Sequence, residues 1–427
     1  MRTKSEEAKE KKPKNEFAPI LNDEATAADR KKTITALMNS INTGKKYTVI
    51  APADEVVNPY FLRRPSGIIQ LDIDTGGGLP AGGVSMISGP DNAGKSLMLY
   101  KYCAQQQRIY GNQCAIALAP VEGAPDYFFM RRCGFTVAIP DAMIEEREIR
   151  RKERGMPKFT KEERADFKRQ VGTVAILAGQ NGEDVLDAVH ECVHRNVFNI
   201  VGIDSLTALL PEGQAKQDTL HDNGQRASHA TMATNFFQRL YPFLLGMWGR
   251  NDTTILCTQQ VRANAAKANA LPHMQKYIRD WAPAGSYAAR HGKMIDLLVW
   301  NGEKVRATSK TQGESGEVIG KWLNWETVKG KGGTHDNIRG DVKFLYDAPM
   351  LTNDLEDIVT TGIRYKAIVE ENGFLSLVRA QTGEIFEEWK KLAGIERFME
   401  KMSQSGANEY FVRQEILAHA GIECAYQ

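Results

Sequence analysis

The octapeptide Gly89-Pro90-Asp91-Asn92-Ala93-Gly94-Lys95-Ser96 has the Gly-x-x-x-x-Gly-Lys-Ser spacing that cradles phosphates on backbone N–H groups. An apolar run, Val84 to Ser88, precedes it, and the helix-forming stretch Leu97 to Tyr102 follows. In that setting the loop closes on a helix N-terminus, where unsatisfied N–H groups and the helix dipole favour an anion. Lys95 then reaches the β- and γ-phosphates and the Ser96 hydroxyl ligates Mg²⁺. The motif implies a nucleoside triphosphate bound with Mg²⁺.

Hydrolysis at such a loop needs a carboxylate near the metal at a neighbouring strand end. Phe198 to Ser205 is an apolar run closing on Asp204, which is that pattern; a strand-terminal Asp also serves as a simple cap. A further group must orient or deprotonate the attacking water. Glu122 follows the strand Cys114 to Ala119 at the edge where parallel α/β folds bind ligands, with Asp126 close by, although a loop glutamate is often merely solvated. The strand Thr254 to Cys257 leads into Thr258-Gln259-Gln260-Val261-Arg262. An amide there, Gln260, bonds the γ-phosphate or the attacking water, loses that bond on hydrolysis and so switches the loop behind it. Residues 263 to about 286 lack an apolar period and carry Lys267, His273, Lys276, Tyr277, Arg279 and Trp281. Cations interleaved with aromatics suit single-stranded nucleic acid, through phosphates and base stacking.

Positioning these groups calls for a parallel sheet. From about Leu71 to Trp300, short apolar runs alternate with helix-length segments: Val84–Ser88, Cys114–Ala119, Thr173–Leu177, Ile200–Asp204, Thr254–Cys257 and Ile295–Trp300. The fold class is α/β, with a P-loop core over residues 66–350. Ahead of it, residues 1–25 read as a charged flexible tail, with a phosphate-seeking arm as the minority reading. Residues 26–65 hold an amphipathic helix over Ala27–Thr43 and a strand at Tyr47–Ile50, which cannot bury both faces alone. Between Ile144 and Gln170, dense mixed charge and a capping box at Thr160 read as two exposed helices, a solvated hairpin rather than a partner surface. Residues 351–427 read as a small α+β module, with helices over Asp357–Glu370, Gly394–Met402 and Glu409–Leu417 and a hairpin around Gln381-Thr382-Gly383.

With 427 residues, 42% hydrophobic and 25% charged, the chain is ordinary for a globular protein. Its six cysteines lack Cys-x-x-Cys spacing, so neither a disulfide framework nor a zinc site is implied. A net charge of +2 leaves nucleic-acid binding to local charge. No run reaches membrane-spanning length and no signal peptide is evident, so an intracellular, cytoplasmic location is expected.

Over about residues 30 to 380 the chain resembles the RecA family of recombinases. The resemblance is carried by Gly76-Gly77-Gly78-Leu79-Pro80 through Lys95-Ser96, Glu122 to Phe135, Ile203 to Pro211, Gln260-Val261-Arg262, Val328-Lys329-Gly330-Lys331 and Asp357 to Ile363. It implies an ATP-dependent DNA recombinase acting in homologous recombination and repair, with a RecA-type core, an N-terminal polymerisation arm and a C-terminal module. It implies Glu122 as catalytic glutamate, Asp126 and Phe129 at adenine, Gln260 as nucleotide-to-DNA coupler, and Lys329 and Lys331 serving a neighbouring protomer's ATP. It also implies two DNA loops, one within Glu212–Arg226 with Lys216 and Arg226, the other the basic aromatic loop, with Arg262 at its base. Partners would be single- and double-stranded DNA, further copies of the chain in a helical filament, and single-strand-binding and loading proteins. The departures are Pro120-Val121 ahead of Glu122, the charged insertion at 144–170 and the region past residue 380. They fit a divergent, viral member working in a bacterial host's cytoplasm. Rival readings are a RecA-like hexameric replicative helicase and a nucleotide-gated scaffold without strand exchange.

Overall fold

The computed structural model describes residues 24–45, 52, 62–216, 228–244, 251–263, 267, 269–275, 281–283, 292–307, 316–346 and 350–422. The chain divides into two compact units, Met1–Val56 and Val57–Gln427. In the first, α1 (Glu24–Asn42) is the expected helix, and Ile34 and Leu37 on its apolar stripe are exposed. The strand expected at Tyr47–Ile50 and the tail up to residue 23 lie outside the described residues.

In the second unit, short α2 (Ile69–Asp74) leads to the central sheet. Its strands are β1 (Val84–Gly89), β2 (Ala115–Pro120), β3 (Thr173–Ile176), β4 (Ile200–Asp204), β5 (Thr254–Ala263), β6 (Trp281–Pro283), β7 (Ile295–Arg306), β8 (Val318–Gly330) and β9 (Arg339–Leu345). Among the described residues the spatial order is β9-β8-β7-β1-β5-β4-β2-β3, with β6 on β5. Pairing is parallel from β7 through β3 and antiparallel in β7-β8-β9 and β5-β6. The fold is therefore mixed α/β with a mostly parallel sheet.

Strand alternation explains why those apolar runs are continuous. Ile116, Leu118, Ile200 and Leu256 face one core with Leu97, Leu99 and Tyr102 of α3 (Lys95–Tyr110). Their immediate neighbours Ala117, Ala119, Val201, Ile255 and Cys257 face a second core with α7 (Gly182–Arg195) and α9 (Ser228–Leu244). With both faces covered, alternate residues of each strand are buried on opposite sides, each large one stabilising by about 1.5–3 kcal/mol. Between β2 and β3 lie α4 (Tyr127–Arg132), α5 (Asp141–Glu153) and α6 (Lys161–Phe167). The Thr160–Glu163 capping box forms in full. After β4, α8 (Glu212–Ala215) opens the first candidate DNA loop.

The structure corrects the sequence expectations in both the core and the C-terminal region. β5 runs past Cys257 to Ala263, because β6 extends it as an antiparallel ladder, so Gln260 lies within a strand and the basic aromatic segment is a hairpin at its base. In the C-terminal region, α10 (Asp354–Arg364) ends before residue 370, and β10 (Ile368–Glu371) turns back into β11 (Phe374–Leu377) through Asn372-Gly373. Both turn residues have positive φ, 54° and 79°, the conformation an Asn-Gly hairpin favours. The turn expected around Gln381–Gly383 also closes, through the antiparallel bridge Val378 to Ile385, with the Arg379 N–H on the Glu384 carbonyl at 2.8 Å and the Phe386 N–H on the Leu377 carbonyl at 3.0 Å. Strand β12 (Leu392–Ala393) and helices α11 (Gly394–Ser403) and α12 (Gly406–His419) complete this region.

The C-terminal helices keep their own core around Ile358, Phe398 and Ile416, which Ile69 of α2 joins. They are also tied to α3 by charge: Lys101 Nζ donates to both oxygens of Asp354, at 2.6 and 2.7 Å, and Arg108 reaches Glu409 at 2.7 Å. Asp357, on the same helix as Asp354, is pushed up to about 7, chiefly by burial, with Arg413 opposing. Its folded value lies above the ordinary 3.8, so its contribution to stability is full below about pH 4 and is lost as pH rises through about 7. Asp357→Asn should therefore lose less stability than the wild type between pH 5 and pH 8 in urea melts; an unchanged difference would show that this carboxyl does not titrate across folding.

Candidate nucleotide site

Register gathers the chemistry at one edge of the sheet. Gly89 pairs with Gln260, Ile203 with Cys257, and Pro120 with Asp204. The C-terminal ends of β1, β4 and β2 and the midpoint of β5 thus present the phosphate loop, Asp204, Glu122 and Gln260 side by side, where parallel α/β folds bind ligands.

The loop has the geometry its glycines require. Gly94 has φ of 88°, and a Cβ there would lie 2.8 Å from Leu323 Cδ1 of β8. A Cβ on Gly89 would lie 2.5 Å from the Val299 carbonyl oxygen of β7. Both positions need glycine because the loop is pressed against the antiparallel extension of the sheet. Pro90, Asp91, Asn92 and Ala93 form the curve between them, and Lys95 and Ser96 begin α3. Lys95 is buried, its Nζ donating to the carbonyls of Pro90 at 2.8 Å and Gly89 at 3.2 Å.

Asp204 accepts from Thr258 Oγ1 at 2.5 Å, and its backbone carbonyl accepts from the N–H groups of Val121 (2.6 Å) and Glu122 (3.2 Å). Those two bonds absorb the extra length of Pro120-Val121 and turn Glu122 back towards the tip of β4. There its Oε1 accepts from Ser205 Oγ at 2.5 Å. Ser96 and Asp204 fit the way Mg²⁺ is held, by one or two protein oxygens plus phosphate rather than a full protein cage. Among the described residues no cluster of three or more His, Cys, Asp or Glu gathers around a common point.

Asp126 caps α4, accepting from the Phe129 N–H at 3.0 Å, and Phe129 packs edge-on against Tyr100 with centroids 6.0 Å apart. The charged insertion braces this helix. Phe128 stacks on Phe159 and meets Phe167 edge-on, Arg147 lies 4.2 Å over the Phe128 ring, and Arg131 donates to the carbonyls of Val137, Asp166 and Arg169.

Other expected residues scatter. Lys216 pairs with Glu212 at 2.5 Å. Arg262 is exposed on β5, Trp281 is exposed on β6, and Lys267 is half-buried. Arg226, Lys276, Tyr277 and Arg279 lie outside the described residues. Lys329 and Lys331 stand at the opposite end of the sheet: Lys329 pairs with Asp296, which pairs in turn with Met86. That puts Lys329 two strands over and roughly 10 Å back along the strands from Gly89. Burial and then Lys331 hold the Lys329 ammonium below the usual lysine range. Arg63, pushed down to about 10 by burial, supports the same turn by donating to Lys331 O at 2.9 Å. Lys321, which no local pattern marks, donates from β8 to Asn92 O of the phosphate loop at 2.7 Å.

No family model matches the chain. It is 27% identical to Protein RecA of Desulfovibrio desulfuricans over 46% of this chain and 44% of that one. It is 23% identical to Protein RecA of Thermotoga neapolitana over 68% of this chain and 66% of that one. The chain is thus similar to RecA proteins over part of its length. A third relative, DNA repair protein recA homolog 1, chloroplastic, of Arabidopsis thaliana, is 27% identical over 44% of this chain and 34% of its own. The chain thus spans between about a third and two thirds of the curated RecA relatives it matches.

If α4 contacts a nucleotide base and the insertion steadies it, Phe128→Ala should raise KM for ATP roughly three- to tenfold with little change in kcat, the signature of lost uniform binding. Steady-state kinetics showing an unchanged KM would make the insertion irrelevant to nucleotide binding.

Proposed function

We propose that this chain is a DNA-dependent ATPase of the RecA type, a recombinase that assembles on single-stranded DNA with ATP at its subunit interfaces, then pairs and exchanges strands with duplex DNA. One observation carries the reading: the phosphate loop, Glu122, Asp204 and Gln260 share one edge of the sheet, while Lys329 and Lys331 stand at the other. That separation from their own loop supports a role at a neighbour's site.

In this reading Lys95 turns from the Pro90 and Gly89 carbonyls to the phosphates, and the loop N–H groups hold the β-phosphate. Mg²⁺, held by Ser96 and Asp204, supplies charge neutralisation at the phosphates. Glu122 orients and deprotonates the attacking water. Asp126 and Phe129 meet the adenine. The partner subunit's copies of the two lysines offset charge on the transferring phosphoryl group, as an arginine finger does. Gln260 bonds the γ-phosphate and passes its loss to the β5–β6 hairpin, where Arg262, Lys267, Lys276, Tyr277, Arg279 and Trp281 meet DNA, with Lys216 and Arg226 in the first loop. The extra residues before Glu122 and the helical insertion support a divergent member similar to the viral UvsX, acting in a bacterial host's cytoplasm with single-strand-binding and loading partners.

The test is complementation between subunits. The double variant Lys329→Ala/Lys331→Ala and the variant Glu122→Ala should each lose DNA-stimulated hydrolysis by roughly 100-fold or more. Mixed, they should regain activity above the sum of the two, because some interfaces pair an intact glutamate with intact lysines. No recovery in filaments seen to co-assemble would mean that the lysines do not act across an interface.

A further inference from the structure

The tips of β4 and β5 are joined by a chain of hydrogen bonds that none of the roles above uses. Ser205 Oγ donates to Glu122 Oε1 at 2.5 Å, Ser205 Oγ and Thr207 Oγ1 are 2.9 Å apart, and the Gln260 backbone N–H donates to Thr207 Oγ1 at 3.4 Å. The two ends fix the direction of the middle link. An ionised carboxylate only accepts, so the single hydroxyl proton of Ser205 is committed to Glu122. Thr207 must then donate to Ser205, which leaves its lone pairs for an amide that can only donate. The order is Gln260 N–H to Thr207 O–H to Ser205 O–H to Glu122, each bond polarising the next.

The turn that presents Thr207 is pinned on both sides. Ser205 and Leu206 are buried, a ring nitrogen of His229 bonds the Leu206 carbonyl at 2.9 Å, and the Ala208 N–H closes the turn on the Ser205 carbonyl at 3.2 Å. Thr207 is half-buried, and its bond to Gln260 is the longest of the three. A small shift of β5 therefore breaks or tightens that link first, while the rest of the turn stays in place.

We infer that Thr207 is a positioning residue that couples the strand carrying Gln260 to the orientation of Glu122, so that DNA held on the β5–β6 hairpin acts on the water-activating carboxylate. The inference rests on the roles proposed above for Glu122 and Gln260. It gives the signal a route back to the catalytic group that bypasses the Gln260 side chain: the backbone of residue 260 reports the position of β5, and two hydroxyls relay it.

The test compares ATP hydrolysis by full-length wild type, Thr207→Val and Thr207→Ser, with and without single-stranded DNA, with Lys95→Ala as control. Valine keeps the shape and removes the hydroxyl. It should cut the ratio of DNA-stimulated to basal kcat by roughly tenfold, the scale of one lost hydrogen bond in a chain ending on a charge. KM for ATP should stay within about twofold, and serine should restore the ratio. A wild-type ratio in Thr207→Val, or a loss in Thr207→Ser equal to that in Thr207→Val, overturns the coupling role while leaving the ATPase reading intact. Wild-type protein whose hydrolysis ignores DNA, or a fully active Lys95→Ala, overturns both.

Discussion

The parallel register of β1, β5, β4 and β2 is the constraint on which the site depends. Gly89 opposite Gln260 and Pro120 opposite Asp204 leave no freedom in where the strand ends fall. A one-residue slip would move every side chain on the slipped strand to the other face of the sheet. Both faces are buried, one against α3 and the other against α7 and α9, so a slip would exchange two packed cores as well as dismantle the site. The same register that fills the interior therefore fixes Glu122 beside Asp204 and the phosphate loop beside β5.

The antiparallel extension β7-β8-β9 does different work. It backs the phosphate loop, with Leu323 and Val299 against the positions of Gly94 and Gly89, and Lys321 on the Asn92 carbonyl. Because β8 runs opposite to β1, it also carries Lys329 and Lys331 away from that loop to the far edge. A single pair of strands thus backs the phosphate loop and carries two lysines to the other end of the sheet. On the proposed reading, this two-ended layout is what makes hydrolysis a property of the assembly.

Much of this was legible in the chain because the signals are local. The phosphate loop, the strand closing on Asp204 and the capping box at Thr160 each lie within a few consecutive residues whose types fix a backbone shape. What escaped depends on pairing across long separations. Lys321 and Asn92 are far apart in sequence, and no periodicity in 316–346 announces the β8–β9 meander. The extension of β5 to Ala263 depends on β6, and the Asn372-Gly373 turn cuts short a helical pattern that runs on to Glu370. The insertion was legible as two helices, yet its role as a brace on α4 depends on Phe128 meeting Phe159 and Phe167, which spacing alone does not reveal.

The central claim is that catalytic groups at one edge of the sheet are completed by lysines from the opposite edge of another copy. The most direct measurement is negative-stain electron microscopy of the full chain with single-stranded DNA and a non-hydrolysable ATP analogue. The account predicts helical filaments that form only when both are present. Closed rings would point to a hexameric motor instead, and monomers under saturating nucleotide and DNA would contradict an active site shared between subunits.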